Sequence, residues 1–510
     1  MKHNKLGKLI IILSIIGIFF WMELDANALN VTNLSLVDQN VTDHYMYIQI
    51  DIVWDNSWRT DEGPSNWDAA WIFAKWKLSS ESDWKHSTFS TIDAEHIPPP
   101  GAEIDASFTK DNTGKGIFIY RSELGYGTNN WGDVKLRWNY GLDGIADDAT
   151  LDVKVSGIEM VYVPEGILNL NTVASENMDN EFLIDTTYQY PTTQISSENP
   201  IPEGNIRWIG DGYSALFGGT GNFNGISYGS DSLCADYPKG YSPFYCMKYA
   251  VSQGEYVDFL NSLTEEQAGN RYFYGGSSPN MRYTIFGDWP EYYAKRPDRA
   301  CNWLSLEDGY AYADWTGLRP MTELEYEKAC RGDQPLVTDE FAWGNTTIVP
   351  ATTINNGVTG PEDGTEIITN TGANCCYGDQ HFNGGDRSFG PLRGGIFATS
   401  SSDRESSGGS YYGIMDLSGN LRERCVSVAE KDQNGDITNS GQYTGGHGNG
   451  ILTSEGFTDE SNWPLYGAGY RGGSWSYTEE CLRVSARWRA GCTSIDLRWH
   501  LCGFRAVRTR

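Results

Sequence analysis

Positive charge is scarce in this chain: 38 lysines and arginines stand against 67 aspartates and glutamates, a formal net charge of −29. Such a surface repels a polyphosphate, which argues against nucleic acid as a partner. Histidine is scarcer still, with seven in 510 residues and no two at metal-ligand spacing. No HExxH or P-loop sequence occurs, so neither zincin nor P-loop chemistry has a carrier. None of the ten cysteines falls in a CxxC array, and their pairing cannot be read from spacing. Beyond Met22 no run is apolar and long enough to cross a bilayer.

What is present starts at the N-terminus. Lys2, Lys5 and Lys8 precede an apolar run from Leu9 to Met22, followed by the small residues Ala26-Asn27-Ala28. This layout predicts a signal peptide over 1–28, cut after Ala28, with an uncleaved anchor as the alternative. The mature protein is then exported, secreted or periplasmic or extracellular, with no membrane span. Between 29 and 156 the apolar period is two. Ile48, Ile50, Ile52 and Trp54 alternate with polar neighbours, and Ile72, Ala74, Trp76 and Leu78 share one face with Lys75 and Lys77 on the other. Such strands, with turn signals between them, predict an all-β sandwich domain serving as an adaptor or spacer.

From 157 to 510 the chain is rich in loops, and its 58 glycines and 18 tryptophans point to irregular structure pinned by aromatic anchors. Three helices announce themselves by an N-cap followed three residues later by a carboxylate: Ser252 with Glu255, Ser305 with Asp308, Thr322 with Glu325. Few helices among short strands is an α+β pattern with low regular secondary structure. At the C-terminal end, Arg471-Gly472-Gly473-Ser474-Trp475 and Gly503-Phe504-Arg505 combine glycines, which permit close backbone approach, with arginines expected in internal ion pairs.

Five stretches then stand in order: Lys248–Leu263, Asn302–Gly332, Tyr411–Arg424, the Arg471–Trp475 motif and Gly503–Arg505. Their order and spacing resemble the sulfatase-modifying-factor family, that of the formylglycine-generating enzymes. The resemblance implies an α+β fold related to C-type lectins. It also implies copper- and O₂-dependent oxidation of a cysteine, within a CxPxR motif of sulfatases, to formylglycine.

That chemistry needs two cysteines five residues apart, because two soft thiolates hold Cu(I) and leave room for the substrate thiolate. Cys481 matches the second; the position five earlier is Ser476, with Tyr477 the alternative if one residue is missing. The pair is broken, so copper is not expected, and Leu501 replaces a family asparagine shortly before the Gly503–Arg505 motif. Cys481 is either a reactive thiol or a buried or disulfide-bonded one. Ser474 matches a serine near the family's metal centre and serves equally well as a turn residue. The resemblance also implies a calcium loop, carried over to the Asp416 side chain, the carbonyls of Gly419 and Leu421, and the Glu423 side chain; hard oxygen donors suit Ca²⁺. Arg422 and Arg424 stand where the family places aromatics. The resemblance implies a second calcium site beginning at Asn374 with the carbonyl of Cys375, with Asp386 as a candidate further ligand. Family half-cystines are replaced by Ala313 and Ala506, and a Cys330–Cys492 pair is the remaining guess. The reading is an exported, calcium-stabilised, non-catalytic binding or structural module for a protein or peptide ligand, a sulfatase among the candidates. The alternatives are a formylglycine-generating oxidase and a component of a cell-envelope machine.

Overall fold

The computed structural model describes residues 29–106, 114–170, 194–201, 207–210, 218–223, 226–230, 233–275, 281–360, 362–428, 430–431, 437–438, 443–487 and 495–509. The expected signal peptide and Cys492 lie outside these residues. Among the described residues the chain is rich in β-strands, with four α-helices.

Two sheets carry the N-terminal half. Asn30–Asn40, Tyr45–Arg59 and Gly125–Trp138 form an antiparallel three-stranded sheet. Its inward side chains Ile48, Ile50, Ile52 and Trp54 share one core with Ala70, Ile72, Ala74 and Trp76 of the strand Asp68–Leu78. The alternation read from the sequence is therefore real on this face: one side of each strand is dry.

The other face of Asp68–Leu78 departs from expectation. Trp71 and Phe73 belong to a second core with Tyr256, Phe259, Tyr312 and Trp315. The Trp71 indole donates to the carbonyl of Thr316 at 2.9 Å, and the Phe73 ring meets Trp315 edge-on at 5.0 Å. Lys75, on the face opposite Ile72, Ala74 and Trp76, is 3% exposed, with Nζ 2.8 Å from His86 Nδ1 and 5.2 Å from the Trp315 ring centre. Burial pushes its ammonium well below the ordinary lysine value. Period two identified the strand but not that both faces are covered.

The covering follows from the sheet itself. Asp68–Leu78 pairs with Leu151–Val163, which pairs in turn with Phe244–Met247, then Ala506–Thr509, then Arg319–Pro320. On the other side follow Ile117–Arg121 and Ala102–Asp105, and Lys85–His86 completes eight strands. Position 156, the expected domain boundary, lies within the strand Leu151–Val163, so one sheet joins residues from both regions.

The helices are α1 (Gln253–Leu260), α2 (Glu265–Arg271), α3 (Leu306–Trp315) and α4 (Glu323–Arg331). All four open with a reciprocal capping box, each satisfying two N–H groups that have no partner inside the helix. α2 escaped the sequence reading because Gln267, not a carboxylate, closes its box with Thr264. α4 is unusual in burying Glu323, Glu325, Glu327, Lys328 and Arg331. Arg471 and Arg487 compensate Glu323 at 3.1 and 2.6 Å, Arg471 reaches Glu327 at 2.5 Å, and Arg319 takes Glu325. The expected internal ion pairs of the C-terminal arginines are thus present.

Candidate functional site

The site expected from the sequence gathers around the strand Arg422–Val426, which pairs antiparallel with Ala468–Arg471 and parallel with Cys502–Gly503. The chain enters it through a tight turn, with Asp416, Gly419 and Asn420 all at positive φ. Gly419 has no alternative: a Cβ there would lie 2.4 Å from Cys375 Sγ. Asn420 pins the turn by accepting from the Leu392 amide at 2.8 Å, while Ser418 donates to the carbonyl of Leu482 at 2.7 Å.

The four residues of the expected calcium loop are placed as follows. Asp416 Oδ2 accepts from the Gly395 amide at 2.7 Å, and burial holds its carboxyl above the ordinary value. Gly419 donates its N–H to the Gly472 carbonyl at 2.7 Å, and Leu421 is buried in a core with Trp475. Glu423 is fully buried, and its carboxylate receives the Arg505 guanidinium, whose remaining N–H groups reach the carbonyls of Met247, Lys248 and Met415. A cation on this loop has to share Glu423 with that arginine.

The groups of the second expected site each hold a protein partner. The Asn374 amide accepts from Val349 and donates to the carbonyls of Thr347 and Glu405. The Cys375 carbonyl accepts from Ala351 at 2.8 Å. For Asp386, burial alone would raise the carboxyl, but Arg296 and Arg299 outweigh it and hold the value at about 2. This set fits a network of loop clamps better than a cation shell.

Around Cys481 the arrangement is aromatic and cationic. The thiol sits in a short helical turn, Glu479–Leu482, and is half-buried. Cys481, Tyr477, Tyr470 and Arg422 line a cavity of about 10 Å³, room for a single water. Arg422 donates to the Tyr477 hydroxyl at 2.7 Å and to the Cys502 sulfur at 3.3 Å. Its guanidinium and that of Arg424 both stack on Tyr470, at 3.7 and 3.9 Å from the ring centre. Burial would lower the Arg422 value, yet Cys502, Tyr470 and Tyr477 outweigh it and keep the group charged. Ser474 is fully buried and does not line this cavity. No disulfide joins two of the described cysteines; Cys330 is buried, and burial raises it to about 12.

Sequence reading did not foresee the Arg422 cluster, whose partners come from three separate segments. It also passed over a GxSxG spelling at 225–229. That spelling falls on a strand, Ile226–Ser230, not on the strand-to-helix turn that exposes a nucleophile.

Comparison with known proteins bears on the family. The sulfatase-modifying factor enzyme 1-like domain matches residues 221–510, more than half of the chain. The formylglycine-generating enzyme of Bos taurus is 32% identical over 127 residues, covering 20% of this chain and 33% of that enzyme. The chain thus matches about a third of that relative's length. Among solved structures, the Major Tropism Determinant I1 variant aligns over 69% of this chain and 81% of its own, at 11% identity and a TM-score of 0.23. On its sequence motifs and this match, the chain belongs to the sulfatase-modifying-factor family, that of the formylglycine-generating enzymes.

Proposed function

We propose that this chain is a non-catalytic member of its family, a binding or structural module for a protein or peptide ligand. The observation that carries the reading is the company of Cys481. Where copper chemistry needs a second thiolate, Tyr477 and the permanent cation Arg422 share the cavity instead. A fixed positive charge disfavours a metal cation at short range, and a phenol bonded to arginine is a poor Cu(I) ligand. The two N-terminal sheets, packed on one core, support the reading of a β-sandwich that offers a second contact surface. Relation to C-type lectins, export, and stabilisation of the Asp416–Glu423 loop by calcium belong to the same proposal. A place in a cell-envelope machine is compatible with it.

The oxidase reading keeps one supporting observation, the 32% identity to a formylglycine-generating enzyme. The two are separated by incubating the folded protein with a CxPxR peptide, Cu(I), reductant and air, and weighing the peptide by mass spectrometry. An unchanged peptide is expected. Conversion of its cysteine to an aldehyde, absent with Cys481→Ser, would establish the oxidase.

A further inference from the structure

A second cavity, which shares no lining residue with that of Cys481, lies between the strand Leu151–Val163 and α1. It measures about 340 Å³, within the range of small-molecule sites. One wall is apolar, made by Phe73, Val155, Ile158 and Trp315. Glu255 and Asp258 also line the cavity, three residues apart and therefore on one side of α1.

Two carboxylates of this cavity lack an ion pair among the described residues. Arg393, which also lines it, is committed to Glu366, both by ion pair at 3.4 Å and through the Glu366 carbonyl at 3.0 Å. Glu159 is answered by Lys248 at 3.0 Å, an ammonium that Asp68 shares at 3.5 Å. Glu255 accepts from the Ser252 amide of its own capping box at 2.7 Å and bonds the Ser252 side chain, both neutral groups. Neither Glu255 nor Asp258 has a salt bridge among the described residues. Desolvation raises the half-buried Glu255 carboxyl against its hydrogen bonds to Ser252; Asp258, exposed at the cavity edge, is raised to about 6 by desolvation, and the Lys154 charge opposes this only in part. Lys154 itself is spent on the Asn261 carbonyl at 3.4 Å and the Trp84 ring at 4.5 Å. Independently, the indole N–H of Trp315 is buried without a partner, a donor left unsatisfied beside the same cavity.

We infer that this cavity binds a small organic amine, its ammonium held by Glu255 and Asp258 and its aliphatic chain lying on the Phe73, Val155, Ile158 and Trp315 wall. The ammonium pairs with the two carboxylates, and the chain removes apolar wall from water. A hydroxyl or similar acceptor on the amine answers the Trp315 donor. The site is independent of the copper question.

The test is calorimetric titration of the full chain with 5-aminopentan-1-ol, with pentan-1-ol as the uncharged control. One saturable site is expected for the amine and none for the alcohol. Asp258→Asn and Glu255→Gln should each weaken binding by roughly tenfold. The glutamine variant keeps the capping box, so α1 stays formed and a loss there is not unfolding. Equal binding of the alcohol, unchanged affinity in both variants, or displacement of the amine by calcium would each overturn the inference.

Discussion

Arg505 Nε lies 2.9 Å from both carboxylate oxygens of Glu423, and Nη2 lies 2.7 Å from Oε1. This pair ties the last motif of the chain to the strand Arg422–Val426, at full burial. Removing one partner strands a charge where water cannot reach it. Glu423→Gln or Arg505→Met should therefore each cost about 3–5 kcal/mol of unfolding free energy. The double variant should cost less than the sum, because neither charge is left alone. Urea denaturation of the four proteins measures this; simple additivity would show that the pair does not act as a unit.

Calcium should raise the melting temperature. The half-buried Asp416 carboxylate is the group whose charge a cation on the loop relieves, and ligand binding to the folded state stabilises by mass action. The shift between calcium and chelator should be present in the native chain and lost in Asp416→Asn. A native chain indifferent to calcium would reduce the loop to a turn.

Tyr477→Cys should increase Cu(I) affinity, read by competition with a chromophoric chelator, because it places a second sulfur in the cavity that Cys481 lines. Ser476→Cys should not, since Ser476 does not line that cavity. Equal gains from both would misplace the lost ligand.

Gly309 sits within α3, where alanine would ordinarily be better by about 1 kcal/mol. Here a Cβ would lie 2.2 Å from Phe504 Cδ2. The clash should win: Gly309→Ala should lose about 1–3 kcal/mol, the range for overpacking a core. Thermal unfolding decides it, and an unchanged or higher melting temperature would mean that the Phe504 ring yields freely.

Asp258 gives a pH signature. Its carboxyl is raised from 3.8 to about 6 on folding, so the native state holds the proton more tightly than the unfolded chain. The associated stability is complete below pH 3.8 and is lost as pH rises through about 6. Relative to the native chain, Asp258→Asn should gain stability above that window and nothing below it. Denaturation curves at acid and neutral pH test the sign; a gain confined to acid pH would reverse the assignment.

Local chemistry decided what the sequence alone could show. The capping boxes of α1, α3 and α4 involve residues three apart, and each is present as read. The alternation from Ile48 to Trp54 needs only the geometry of one strand. Family membership was legible because five motifs keep their order along the chain. The remainder depends on partners far apart in sequence. Trp71 meets Thr316 across 245 residues, which is why the second face of Asp68–Leu78 is dry and Lys75 lies inside. The Arg422 cluster draws Tyr470, Tyr477 and Cys502 from separate segments, so the sequence showed only an arginine where the family places an aromatic. The amine cavity exists only because one sheet runs through position 156 and brings Val155 and Ile158 against α1. Propensity and capping act within a few residues, whereas burial and charge balance are properties of the assembled fold; only tertiary structure could settle them.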